Sequence, residues 1–203
     1  MRSAHTSARL LAAVALSLLC VSPATAAGPT AASAPPVRFV LKDSFWTNLH
    51  HYLYVLGRAK NGERDAGREA TIAAPGEVAG AGLTEPDRRL WEECVAAYAA
   101  SLSKRDPIFD AGLARFTLAL SRIADDARPA GPDEEAACAI LERAAPLYRK
   151  HWYPAHRAEN ARLISELTAL IDAHSPALIA RMERAYDRTW PAAGVPILVS
   201  GYT

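Results

Sequence analysis

The chain has 203 residues, half of them apolar by count, with 23 Lys and Arg against 22 Asp and Glu. Charges this nearly cancelled give no broad positive field of the kind nucleic acid or anionic lipid needs, and no basic run is interleaved with aromatics. Neither a nucleic-acid partner nor a cofactor is expected.

The first residues carry the pattern of a secretory signal. Arg2 and Arg9 form a positive start, and Leu10 to Val21 is an apolar run too short to span a bilayer comfortably. Pro23 breaks that run, and Ala24-Thr25-Ala26 fits an A-x-A cleavage site, so cleavage after Ala26 is expected. Cys20 follows Leu19, where a lipidated cysteine wants a small neighbour, so lipidation is discounted. The expected product is exported, periplasmic or secreted. Residues 27–36 are rich in Ala and Pro and read as a tether. Residues 37–203 are expected to form one helical domain. No second segment is expected to be long and apolar enough to cross a membrane.

Arg38 to Leu41 reads as a short strand or a lead-in. The first helix is expected from Asp43 to Lys60, with Phe45, Leu49, Tyr52, Leu53 and Leu56 at helical spacing. Trp46 and Tyr54 widen that stripe, leaving a narrow polar arc of Ser44, Thr47, Asn48, His51 and Arg58. A helix apolar around so much of its circumference is usually central to a bundle. Residues 61–83 lack aromatics and any sustained period, and read as a mobile surface loop. Thr84-Glu85-Pro86-Asp87 opens a second helix with a capping oxygen and an early Pro, ending before Asp106-Pro107. A third helix is expected from Asp110 to Ala124 and a fourth from Asp133, which Pro146 should kink or restart. Leu147 to Trp152 reads as a separate short turn. Pro154 opens a fifth helix to Ala173, and Ser175-Pro176 caps a sixth that reaches Thr189 or Trp190. Val195 to Ser200 then has the character of a short strand. The expected fold is mainly α, an irregular bundle of five to six helices with at most one short strand pair, Arg38–Leu41 with Val195–Ser200.

The last run cannot satisfy its backbone groups alone. It pairs with Arg38 to Leu41 or with something beyond Thr203, and its abrupt end suggests an incomplete reading frame. Cys94 and Cys138 lie in different helices. In an oxidising compartment they could form a disulfide bridge, and as small apolar fillers they could equally stay as buried thiols.

Polar residues on apolar faces mark a candidate pocket. His50 sits one turn from both Trp46 and Tyr54. His156 and Asn160 are four apart on the apolar face of the fifth helix. If the first and fifth helices pack together, His50, Trp46, Tyr54, His156 and Asn160 line one pocket for a protein or small-molecule ligand; otherwise these are core residues with satisfied hydrogen bonds. No catalytic residue is assigned and no metal site is expected: HExxH, GxSxG, P-loop and GxGxxG motifs are all missing.

The stretches NLHHYLYVLGRA (48–59), LYRKHWYPAHRAEN (147–160) and YDRTWPAAGVPILVSGYT (186–203) resemble a group of uncharacterised secreted bacterial proteins. Longer members of that group continue past the last strand into a zincin-like His-Glu helix. The resemblance implies metallopeptidase-like ancestry for a chain that corresponds to their helical front part. It also implies no activity here, because the zinc ligands and general base belong to the other part. The alternative is a complete exported binding module built on the aromatic-His pocket.

Overall fold

The computed structural model describes residues 39–63, 82–131, 134–191 and 193–200. The expected signal, its cleavage site, the tether and most of the expected surface loop lie outside these residues. Within them the chain runs β1 (Phe39–Lys42), α1 (Phe45–Lys60), α2 (Glu85–Ala100), a 3-10 turn (Leu102–Lys104), α3 (Ala111–Leu120), α4 (Glu135–His151), α5 (Tyr153–Tyr186) and β2 (Val195–Leu198). Among the described residues the fold is mainly α, with five helices and one pair of parallel strands, as the periodicity predicts.

Helix α1 is the hub. Ser44 accepts the Thr47 backbone N–H at its N-terminus, and eleven of its sixteen residues are buried. Helices α2, α3, α4 and α5 all contact it. Phe45, Leu49, Tyr52 and Leu53 project from it into a core shared with Trp91, Cys94 and Tyr98 of α2, Phe116 and Leu120 of α3, and Leu141 and Tyr148 of α4. Burying each such side chain stabilises the fold by about 1.5–3 kcal/mol. The rings of Trp91 and Trp152 stack at 4.3 Å, and Tyr52 lies against both. Leu83, at the end of the expected loop, also enters the core.

Three expectations need correction. Pro146 does not break α4, and Pro176 does not begin a new helix: it lies inside a single 34-residue α5. Both prolines are on exposed faces. The carbonyls left without an N–H partner belong to Glu142, which is half-buried, and Asp172, which is exposed, and the helix continues through both prolines. The third correction follows. Because the fifth and sixth expected helices are one, α5 is long and apolar enough to cross a membrane by length and composition. It ends at Tyr186, short of Trp190, where Asp187 adopts a left-handed backbone (φ 49°) and its N–H bonds back to the Glu183 carbonyl.

Strand β2 pairs with β1, in parallel, with Phe39 opposite Val195 and Lys42 opposite Leu198. Val199 extends the ladder by donating to the Lys42 carbonyl at 2.9 Å.

Candidate functional site

The five residues expected to share a pocket fall into two groups on opposite sides of α1. At 100° per residue, His50 and Tyr54 lie nearly above one another, with Trp46 in the same column. Asn48 and Tyr52 are each two residues from His50, about 200° around the helix. Helix α5 packs on the Asn48–Tyr52 side, so His156 and Asn160 never reach His50.

On the α5 side, the His156 Nδ1 and the Tyr148 hydroxyl are 2.8 Å apart, and the His156 ring stands edge-on to Tyr52. Burial pulls the His156 pKa down to about 4, so the ring is neutral at pH 7 and shares one proton-bearing hydrogen bond with the Tyr148 hydroxyl. Asn160 is not its partner. The Asn160 amide is fully buried and donates to Asp43 Oδ1 at 2.8 Å and Asn48 Oδ1 at 2.9 Å. Asn48 in turn donates to the same Asp43 oxygen at 2.9 Å. Burial raises the Asp43 pKa, partly offset by these amides. This amide–carboxylate network joins the start of α1 to α5, with the Asn160 Oδ1 left without a partner among the described residues.

On the other side, donor counting fixes a relay through His50. Thr117 Oγ1 donates to the Leu113 carbonyl at 3.0 Å, so at 3.3 Å it accepts from His50 Nε2. His50 Nδ1 is then bare and accepts from the Tyr98 hydroxyl at 3.3 Å. With both nitrogens committed and the ring 1% exposed, desolvation holds the His50 pKa well below its ordinary value. His50 thus joins α1, α2 and α3 as a neutral strut. Tyr54 donates to the Arg105 carbonyl at 2.6 Å, and Trp46 Nε1 to the Ala124 carbonyl at 3.1 Å. Arg105 grips Asp110 through two nitrogens at 2.8 Å each and also bonds Glu134, pinning the turn beneath.

A cleft of about 250 Å³ opens beside this strut. His50, His51, Tyr54, Pro107, Leu113, Ala114, Thr117, Leu118 and Leu198 line it. Trp46, His156 and Asn160 do not. His51 was expected on a solvent-facing arc. It is half-buried, its Nδ1 is enclosed with no partner among the described residues, and burial lowers its pKa to about 4. The signal that could have revealed this is chemical. Apart from Arg58 the polar arc of α1 holds only uncharged side chains, and Ser44, Thr47 and Asn48 are in fact buried. A solvated arc normally carries charge.

Among the described residues no group of three or more His, Cys, Asp or Glu side chains is placed to hold a metal ion. His50 has both nitrogens engaged and His156 has Nδ1 engaged, so these residues do not fit a zinc centre. Cys94 and Cys138 are buried free thiols, and burial raises both pKa values. No family model matches the chain, and no match was found among curated proteins or solved structures.

Proposed function

We propose that this chain is the helical portion of an exported metallopeptidase-like protein, and that it holds a second folded part instead of performing catalysis. One observation carries the reading. Helix α5 has an apolar stripe of Leu163, Ile164, Leu167, Leu170, Ile171 and Leu178, yet only 11% of its most apolar 18-residue stretch is buried. Leu170 is 58% exposed and Leu178 47%. Apolar surface in a continuous stripe marks an interaction face. A bilayer suits this stripe poorly. Glu166 and Asp172 fall in the same stretch of chain on other faces of the helix, so a bilayer would have to take both in, and a centrally placed carboxylate costs about 2.5–3.5 kcal/mol on insertion. A protein surface covers the stripe while leaving both carboxylates in water. The basic start, the Leu10–Val21 run and the A-x-A site support export.

Sedimentation and dye binding test the reading. The purified chain should self-associate and light up an apolar-surface dye. The Leu170→Glu/Leu178→Glu double variant should sediment as a monomer, with its unfolding midpoint moved by less than about 4 °C. A wild-type chain that is monomeric and dark to the dye would refute the proposal. Elemental analysis should find no stoichiometric zinc, and one zinc per chain would equally overturn a non-catalytic role.

A further inference from the structure

The cleft beside His50 is not needed for the docking role and has a chemistry of its own. Its walls come from four separate segments: α1, the turn at Pro107, α3 and β2. Most of the lining is aliphatic, from Pro107, Leu113, Ala114, Leu118 and Leu198. Its polar side chains are nearly all engaged elsewhere. Tyr54 is bound to the Arg105 carbonyl, and Thr117 and His50 belong to the relay from Tyr98 to the Leu113 carbonyl. The exception is His51, whose Nδ1 has no partner among the described residues although it is enclosed. That nitrogen is closed to solvent, so a molecule in the cleft meets the half-buried imidazole at its other, open edge.

We propose that the cleft is a binding site for a small uncharged molecule, with an apolar body and one hydroxyl or amide that hydrogen-bonds the His51 imidazole. The size follows from the volume: a cavity of roughly 150 Å³ admits benzene, so this one admits a monocyclic compound with a polar substituent. Neutrality follows from the lining. No carboxylate, Lys or Arg is among the lining residues, so neither an anion nor a cation finds a counter-charge. A hydroxyl or amide suits the imidazole, which offers one donor and one acceptor when neutral.

Phenol and toluene are the probes, because they differ by a hydroxyl on the same ring. Each is titrated into the full chain and followed by NMR of the imidazole and methyl groups. Phenol should give saturable shifts centred on His51, Leu113, Leu118 and Leu198 and bind roughly fivefold or more tightly than toluene, the worth of one hydrogen bond. His51→Leu should erase that preference. Leu118→Trp, at a residue 38% exposed, should fill the cleft and abolish binding of both. Absence of saturation by either probe, shifts centred elsewhere, or a phenol preference that survives His51→Leu would overturn the site. Should His51→Leu fail to fold, Leu118→Trp decides alone: retained binding refutes. None of these outcomes bears on the exposed stripe of α5, so the two proposals fail separately.

Discussion

Acidification from pH 7 to pH 5 should destabilise this protein chiefly through its buried histidines. His156 and His51 are held near pKa 4, and His50 well below its ordinary value, in each case chiefly by desolvation. In the unfolded chain all three return to about 6.5. A depressed folded pKa means that the unfolded state binds more protons below pH 6.5. The stabilisation from burying neutral rings is therefore complete above about pH 6.5 and is lost as pH falls toward 4. For a folded value of about 4, the loss between pH 7 and pH 5 is about 2 kcal/mol for His156. His51 is only half-buried and is discounted to about 1 kcal/mol. His50 adds to the loss in the same direction. A loss of about 3 kcal/mol or more in a domain this size lowers the unfolding midpoint by at least about 6 °C. Among the carboxylates, Asp106, Asp110 and Glu142 are held low by their partners and stay ionised through this window. Far-UV circular dichroism melts at pH 7 and pH 5, at equal ionic strength, measure the difference. A change below about 3 °C, or imidazole titrations by NMR with midpoints near 6.5, would refute the burial of neutral rings.

Four further outcomes follow from the packing. Gly57→Ala places a methyl 2.2 Å from Ser103 Oγ and 2.9 Å from the Ala99 backbone nitrogen where α1 meets α2. Overpacking outweighs the gain in helix propensity, and the net loss should be about 2 kcal/mol by denaturant melts, partly restored by Ser103→Ala. Tyr148→Phe keeps the ring but removes the 2.8 Å partner of His156 Nδ1; a loss of about 1–2 kcal/mol is expected, and an unchanged midpoint would contradict that bond. Asn160→Ala removes donors from both Asp43 and Asn48 and should cost about 2–4 kcal/mol, more than Tyr148→Phe in the same melts. Cys94 and Cys138 should react with a disulfide reagent only as fast as the protein unfolds, since both thiols are buried with raised pKa values; rapid native-state labelling would show them accessible.

The mainly α class, the Thr84 cap that opens α2 and the central place of α1 were legible, the last because ring and aliphatic spacing in 43–60 leaves so little of that helix for water. The two misjudged prolines show what local rules omit. A proline disrupts a helix through the carbonyl it strands, and whether that carbonyl meets water is a tertiary fact. The divided pocket has a similar origin. Periodicity says that Trp46, His50 and Tyr54 share a column, but not which neighbour covers it. Here α2 and α3 take that column, and α5 takes Asn48 and Tyr52. His51 escaped notice because its arc is polar, and polarity alone does not distinguish a wet face from a buried network.

The parallel register of β1 with β2 has a mechanical consequence. The ladder joins the two flanks of the helical array across about 150 intervening residues, a closure whose entropic cost grows only slowly with length. Tension applied before Phe39 and after Leu198 would pull on opposite ends of the paired strands. Every rung of the ladder would then be loaded at once in shear, instead of opening singly like a zipper, and the helices between would be shielded until the clasp gave way.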